Sequence, residues 1–210
     1  MQHTISTLLE HSPIIAVITL DDVNHAIPVV SALVEGGVTA IEFTSRTPAG
    51  IAAIPIVRET FSDIFLALGS ISHASDLLKF SKIGVDLIVT PGLSHTLLDA
   101  AKTAKVSILP GISTASDIIL GLEYGLRYFK FFPAEALGGI HYLKALSQPF
   151  TQCRFCPTGG ISPLSMNDYL NMDQVDIVAG TWLAPNDIIQ VQQWHKITEN
   201  AVQAVQILKR

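Results

Sequence analysis

Lys130 is the residue of this chain whose surroundings most clearly suggest chemistry. It lies in the run YFKFFP (residues 128–133), with aromatic residues on both sides. A lysine within a buried apolar strand is costly unless it is paired or neutral, and burial disfavours the charged form of an amine. A neutral amine in an apolar pocket is the nucleophile that forms a Schiff base with a carbonyl compound. The alternative is that Lys130 ends an edge strand and reaches water.

A second set of polar residues, Glu42, Thr44 and Arg46, alternates along another apolar run. Because successive side chains of a strand point to opposite faces, these three share one face. The pattern indicates a general acid/base next to a group that binds an anion. A buried structural ion pair is the alternative interpretation.

Glycine-rich turns end the last two apolar runs, as TGGISP (residues 158–163) and AGTW (residues 179–182). The first has the order of a strand, a glycine turn, an N-cap serine and a helix-starting proline. Backbone N–H groups at such a helix start suit a phosphate, so we predict a phosphate site here rather than tight turns alone. Earlier runs also end in small residues, which let a ligand approach the backbone.

The elements that must position these residues repeat along the chain. Apolar, β-branched runs begin near residues 14, 40, 64, 87, 107, 128, 154 and 176, with amphipathic helical stretches between them. This alternation predicts parallel βα units, and their number predicts an α/β fold of the compact (β/α)8 TIM-barrel type. An open doubly wound sheet is the competing architecture, but no Gly-x-Gly-x-x-Gly follows the first run. Residues 1–13 are expected to form an N-terminal capping helix, residues 187–210 a terminal helical segment, and residues 1–210 a single domain.

Composition narrows the class of protein. The chain has 210 residues, a net charge of −5, 49% hydrophobic residues and 15% charged residues. Without a basic block, nucleic acid is not an expected partner. We find no signal peptide and no apolar run long enough to cross a membrane, so a cytoplasmic location is expected. The histidines lack metal-ligand spacing, and Cys153 and Cys156 are interpreted as ordinary thiols that face opposite ways on a strand.

Four motifs then point to a known family: the Glu-x-x-x-Arg-Thr of residues 42–47, PGIST (110–114), FKFFPAE (129–135) and FCPTGGIS (155–162). In their order and spacing, over nearly the whole chain, they resemble the bacterial 2-keto-3-deoxy-6-phosphogluconate (KDPG) aldolases. That family includes enzymes that also cleave 4-hydroxy-2-oxoglutarate. The resemblance implies a class I aldolase on a (β/α)8 barrel, a homotrimer that needs neither a metal nor a cofactor. It implies a phosphorylated 2-keto acid as substrate, with pyruvate and glyceraldehyde 3-phosphate as products.

The resemblance also implies roles for individual residues. Lys130 matches the Schiff-base lysine, and Glu42 matches the acid that shuttles protons, through a water molecule. Around the pyruvyl end of the substrate, Arg46 matches the residue that holds the carboxylate. The other pyruvyl-end positions are Ser70, Pro91 and Phe132. The phosphate end comprises Thr158, Gly159, Gly160, Gly180 and Thr181.

Some positions depart from the common family pattern. The usual Gly-Ala-Gly-Thr is ALGS here (residues 67–70), and the usual Gly-Gly-Ser-Trp is AGTW. Ser70 keeps the hydroxyl, whereas Leu68 is expected to narrow the pyruvate end and Thr181 to alter phosphate affinity. The first run ends in Thr-Leu-Asp (residues 19–21) where some relatives carry a basic residue, so backbone amides are expected to hold most of the phosphate.

Three functions remain open from the sequence. One is KDPG cleavage, and another is the same chemistry on 4-hydroxy-2-oxoglutarate or on the 6-phosphogalactonate isomer. Thr158 resembles the gluconate-type members of the family. The last is a phosphosugar-binding barrel without aldolase activity, which would have no use for Lys130 beside Glu42.

Overall fold

The computed structural model describes residues 7–8 and 12–208, and the predicted apolar runs form parallel β-strands. The strands are β1 (Ile14–Ile18), β2 (Ala40–Thr44), β3 (Phe65–Gly69), β4 (Leu87–Val89), β5 (Ile108–Leu109), β6 (Gly111–Ile112), β7 (Tyr128–Phe131), β8 (Arg154–Pro157) and β9 (Val178–Gly180). The α-helices between and after them are α1 (Ala26–Glu35), α2 (Pro48–Thr60), α3 (Ala74–Phe80), α4 (His95–Ala104), α5 (Ala115–Glu123), α6 (Gly139–Ser147), α7 (Met166–Leu170), α8 (Asn186–Gln190) and α9 (Trp194–Leu208).

Within the described residues, the strands pair in two parallel sheets. A six-stranded sheet has the order β5-β4-β3-β2-β1-β9, and a three-stranded sheet has the order β6-β7-β8. Apart from the pairing of β1 with β9, strands that are hydrogen-bonded neighbours are also consecutive in the chain, and a helix lies in each of their connections, as βα units require. The predicted α/β class with parallel strands is therefore confirmed.

Pro110 separates the two sheets at one side. The run predicted as the fifth strand is divided into β5 and β6 at this residue, because proline has no N–H to donate to a ladder. On the other side, single bridges join Phe155 to Val175 and Thr158 to Ala179. The carboxyl ends of all these parallel strands point in the same direction, where side chains at the strand ends can converge.

The buried apolar residues form two clusters on opposite faces of the strands. The larger cluster lies between the strands and the helices and includes Ile14, Ala16 and Ile18 of β1. The smaller, inner cluster takes the alternate residues. Its members are Leu8, Ile15, Val17, Ala40, Phe65, Ala67, Leu87, Val89, Leu109, Cys156, Ile177 and Ala179. Strand alternation thus sorts side chains into an outer and an inner core.

The chain ends can be compared with expectation only in part. Residues 1–6 and 9–11 of the predicted capping helix lie outside the described residues, but Thr7 and Leu8 are helical and Leu8 is fully buried in the inner cluster. Residues 209–210 of the predicted terminal helical segment also lie outside the described residues, and the rest of the segment forms α8 and α9. Of the helices in the described ranges, none has the length and apolar character needed to cross a bilayer.

Candidate active site

A cavity of about 460 Å³ opens at the carboxyl ends of the strands. Every residue that the sequence analysis assigned to a site lines it. The lining residues are Val17, Glu42, Thr44, Arg46, Ser70, Ser72, Pro91, Lys130, Phe132, Thr158, Gly159, Gly160, Gly180 and Thr181. These residues are far apart in the chain, but they lie close together here because the carboxyl ends of parallel strands lie at the same edge of the sheet.

Lys130 and Glu42 form a buried pair at this cavity. Lys130, on β7, donates from Nζ to Glu42 Oε1, on β2, over 3.4 Å. The lysine side chain is 8% exposed and the glutamate side chain 2%. Lys130 Nζ also lies 5.3 Å from the centre of the Phe132 ring. This distance is longer than the 2.7–2.9 Å of a strong charge-assisted hydrogen bond, so the ion pair is a weak one. The two groups are still close enough to exchange a proton.

The end of β3 shapes the space around Glu42. A Cβ on Gly69 would collide with the Glu42 carboxylate, so only glycine fits there while that side chain stays in place. The next residue, Ser70, has φ of 65°, a left-handed conformation that residues with a side chain adopt rarely. Such strain persists where the surroundings impose it, and it is common at functional sites. The cavity wall here is a bent strand end that directs the Ser70 side chain into the cavity.

Arg46 extends from the turn after β2. Its Nη2 donates to Thr19 Oγ1 over 2.7 Å, and Thr19 Oγ1 lies 3.0 Å from Thr44 Oγ1. Thr47 caps α2 by accepting from Gly50 N, and its hydroxyl donates to the Leu20 carbonyl. The turn that carries the guanidinium is therefore attached to the end of β1.

The glycine turn after β8 packs against the segment that follows β7. Gly159 and Gly160 have φ of 98° and 83°, values that favour glycine because it has no Cβ. A Cβ on Gly160 would approach Glu135 Cβ to 2.7 Å. Two backbone bonds hold the contact: Ala134 N donates to Thr158 O over 2.8 Å and Glu135 N donates to Gly159 O over 3.0 Å. These two bonds hold the glycine turn, which lines the cavity, against the segment that follows the Lys130 strand.

The chain matches a known protein family over most of its length. A sequence model of the family described as KDPG and KHG aldolase matches residues 5–200. The chain belongs to the KDPG and KHG aldolase family.

Individual members of the KDPG and KHG aldolase family are similar along almost the whole chain. The KHG/KDPG aldolase of Escherichia coli K12 is 40% identical over 200 residues, which are 95% of this chain and 94% of the relative. A KDPG aldolase structure from Legionella pneumophila, with pyruvate captured as a covalent carbinolamine intermediate, has a TM-score of 0.89 at 35% identity and covers 93% of this chain and 95% of its own. The Zymomonas mobilis ZM4 aldolase with 3-phosphoglycerate has a TM-score of 0.89 at 37% identity, covering 97% and 95%.

Two cavity residues of this family member were missed from the sequence. Val17 lies on β1 in the inner cluster, two residues after Ile15, so strand alternation could have identified it. Ser72 lies two residues beyond Ser70, and its hydroxyl is 3.0 Å from His73 Nδ1. No sequence pattern singles out Ser72, because it follows the strand in an irregular loop. Thr44 was expected on the Glu42 face and does line the cavity.

The expected effect of Leu68 on the pyruvate end is wrong. Leu68 is fully buried in the outer cluster, between β3 and the helices, and does not line the cavity. The reason is alternation: Ala67 belongs to the inner cluster, so the next side chain must point outward. Its extra volume relative to alanine is accommodated in the outer core.

The two cysteines are free and buried. Cys153 belongs to the outer cluster and Cys156 to the inner one, the opposite faces predicted for positions three apart. Cys156 is paired in register with Lys130 across β7 and β8. Burial raises the pKa of its thiol to about 12, although the nearby Lys130 charge opposes the shift. A neutral thiol therefore lies beneath the Lys130–Glu42 pair. Within residues 7–8 and 12–208, no group of three or more His, Cys, Asp and Glu side chains is arranged to hold a metal ion.

Proposed function

We propose that this protein is a class I aldolase that cleaves KDPG into pyruvate and glyceraldehyde 3-phosphate. The observation that carries the proposal is the buried amine of Lys130, 3.4 Å from the Glu42 carboxylate at the cavity, in a chain of the aldolase family. The carbinolamine of the Legionella pneumophila relative supports covalent chemistry with pyruvate in the same fold.

The first half of the reaction forms the electron sink. The neutral Lys130 amine attacks the C2 carbonyl carbon, and the carbonyl oxygen gains a proton to give a carbinolamine. Loss of water leaves a protonated imine, which accepts electrons from the bond to be broken. Glu42, 3.4 Å from Nζ, takes the proton that the amine must lose before it attacks. It returns this proton to the hydroxyl that leaves as water, so it is a carboxylate again when the imine has formed.

The second half breaks the C3–C4 bond. The Glu42 carboxylate, directly or through a water molecule, removes the C4 hydroxyl proton. The C3–C4 electron pair moves to the imine as an enamine, and glyceraldehyde 3-phosphate leaves. Protonation of the enamine at C3 by the Glu42 carboxylic acid, followed by hydrolysis of the imine, releases pyruvate and the Lys130 amine.

The remaining cavity residues bind the two ends of the substrate. Arg46 holds the pyruvyl carboxylate with a pair of N–H donors, next to the Ser70 hydroxyl, and Pro91 and Phe132 form the wall. The phosphate lies at the other end, against backbone amides and hydroxyls, since no lysine or arginine other than Lys130 and Arg46 lines the described cavity. The phosphate-end residues are Thr158, Gly159, Gly160, Gly180 and Thr181.

Cleavage of 4-hydroxy-2-oxoglutarate is a second candidate activity of the same site. Its support is the Escherichia coli relative, named KHG/KDPG aldolase, at 40% identity. The two substrates share the pyruvyl end but differ at the phosphate end. A comparison of kcat/KM for the two, with the 6-phosphogalactonate isomer as a third substrate, decides between them. We expect KDPG to be preferred, because the glycine turns form one whole end of the cavity.

Borohydride trapping tests the proposal. The protein is incubated with pyruvate, reduced with borohydride and digested for peptide mass spectrometry. One reduced pyruvyl adduct on Lys130 is expected. Absence of an adduct from the folded protein at saturating pyruvate would contradict Schiff-base chemistry and would favour a phosphosugar-binding barrel without lyase activity.

Matched lysine variants sharpen this test. Lys130→Ala removes the amine but leaves Glu42 buried and unpaired, which is strongly destabilising. Lys130→Arg keeps a positive charge next to Glu42 and cannot form an imine, so it is the variant of choice, with adduct and turnover both lost. Lys144→Arg, on the exposed face of α6, is the control and should behave as wild type.

Three further features belong to the same proposal. The two sheets form one closed (β/α)8 barrel in a single domain, an interpretation that the single bridges Phe155–Val175 and Thr158–Ala179 support. Leu8 in the inner cluster supports an N-terminal helix that caps the barrel. The active form is a homotrimer, as the family resemblance implies, and analytical ultracentrifugation tests this. A cytoplasmic location is proposed from the sequence analysis, and fractionation of cells tests it.

A further inference from the structure

Among the residues that the structure describes, Arg46 has one hydrogen-bond partner, and that partner is uncharged. The side chain is exposed at the cavity, and among the described residues it forms no ion pair. Its Nη2 donates a hydrogen bond 2.7 Å long to Thr19 Oγ1. A guanidinium has five N–H donors, so this bond leaves others for a ligand.

Thr19 is itself held by the sheet. It follows β1 directly, and the β1–β2 register places Ile18 opposite Phe43, which brings Thr19 and Thr44 side by side. Their hydroxyl oxygens are 3.0 Å apart, and Thr44 is 1% exposed. Arg46 is therefore hydrogen-bonded to a hydroxyl that a buried second hydroxyl, that of Thr44, holds in place.

We infer that Thr19 is a positioning residue for carboxylate recognition, acting through Arg46. The inference rests on the proposed role of Arg46 at the pyruvyl end. A free arginine side chain loses considerable rotamer entropy when it is ordered. A guanidinium already held by Thr19 loses less of that entropy on binding, and its plane is set for two parallel bonds to a carboxylate.

This role predicts where the effect of losing the hydroxyl appears. The Arg46–carboxylate contact is the same before and during cleavage, so it contributes to substrate binding rather than to the barrier of the bond-breaking step. Loss of the Thr19 hydroxyl should therefore raise KM and the pyruvate concentration needed for trapping, and should leave kcat nearly unchanged.

Thr19→Val and Thr19→Ser form the matched pair for the experiment. Valine keeps the shape of threonine without the hydroxyl, and serine keeps the hydroxyl. With Thr19→Val, we expect the pyruvate concentration for half-maximal borohydride trapping, and KM for KDPG, to rise about tenfold, the effect of one lost hydrogen bond to a charged group. Thr19→Ser should stay within about twofold of wild type.

A double-mutant cycle with Arg46→Ala tests whether Thr19 acts through Arg46. In the Arg46→Ala background, Thr19→Val should produce no further change in KM or in trapping. The same tenfold rise in that background would overturn the inference, as would a fall in kcat at unchanged KM, or a Thr19→Val protein that matches wild type. If Thr19→Val does not fold, Thr19→Ala takes its place in the same cycle.

Failure of this inference can be told from failure of the proposed function. One result would overturn only the role of Thr19: pyruvate and borohydride label wild-type protein on Lys130, and Thr19→Val protein is labelled at the same pyruvate concentration. Wild-type protein that is never labelled overturns both.

Discussion

The carboxylate of Glu42 fills the space in which the Cβ of any residue other than glycine at position 69 would stand. In the β2–β3 ladder, Glu42 pairs with Ala67 and Thr44 with Gly69, so the glutamate side chain runs along the sheet towards the strand ends. It reaches Lys130 Nζ by passing over a glycine. Gly69 thus shapes the site although it has no side chain of its own.

Replacement of Gly69 by alanine should therefore affect chemistry more than folding. The colliding group is the end of a flexible side chain, which can rotate away at the cost of its contact with Lys130. We expect kcat to fall about a hundredfold, as for a displaced general acid/base, and Tm to fall by only a few degrees. Gly92→Ala is the control, since a Cβ at Gly92 would meet nothing within 4 Å. A Gly69→Ala enzyme with wild-type kcat would contradict the account.

Glu42→Gln separates proton transfer from imine formation. Glutamine keeps the shape and removes the base. Because water can replace Glu42 in deprotonating the amine during a long incubation, pyruvate should still be trapped on Lys130, although more slowly, while kcat for cleavage falls about 10²- to 10⁴-fold. Exchange of the pyruvate methyl protons with deuterated solvent, followed by NMR, should slow by a similar factor. Exchange at the wild-type rate would mean that another group moves the proton at C3.

Gly160→Ala tests the phosphate end. The substitution has two effects: an unfavourable positive φ, about 1–2 kcal/mol, and a clash with Glu135, whose Cβ lies 2.7 Å from the new atom. Gly125→Ala is the control for strain alone, because Gly125 has φ of 78° with nothing within 4 Å. We expect Gly160→Ala to raise KM for KDPG more than KM for 4-hydroxy-2-oxoglutarate, which lacks the phosphate. Equal changes in KM for both substrates would show that this turn does not bind the phosphate.

Because the thiol of Cys156 is buried, the free energy of unfolding should depend on pH in the alkaline range. Its pKa is raised by burial from 9.0 to about 12, so between these values the unfolded chain loses a proton that the native protein keeps. The stabilisation is complete below pH 9 and is lost as pH rises towards about 12, with a slope of at most about 1.4 kcal/mol per pH unit. Urea denaturation of wild type and Cys156→Ala over this range should show a smaller slope for the variant. Parallel slopes would contradict the burial effect.

The strands were predictable because the types of residue in each run indicate whether that run is buried. Apolar, β-branched runs at regular spacing predicted each strand position, and motif resemblance brought Lys130, Glu42 and Arg46 to one cavity. The break at Pro110 could also have been anticipated, since proline cannot join a ladder on its N–H side. The outward direction of Leu68 follows from the same alternation that was applied to Glu42 and Arg46, and was missed only because it was not extended to β3.

Other features depend on register, which one sequence does not reveal. The hydrogen bond between Arg46 and Thr19 needs β1 and β2 aligned so that Ile18 meets Phe43, and a shift of one residue would turn every such side chain to the other face. The requirement for glycine at position 69 has the same origin, because the colliding group comes from the neighbouring strand. Ser72 lies in a loop whose path is set by packing rather than by periodicity.

The Lys130–Glu42 contact joins residues that are 88 positions apart in the chain. During synthesis, Glu42 emerges long before the strand that carries the amine, so a nascent or truncated chain that ends before β7 contains the acid but lacks the nucleophile. Contacts of such sequence separation form only when distant strands close on one another. Catalytic activity in this protein is thus a property of the assembled fold, and its recovery during refolding reports the closure of the strands.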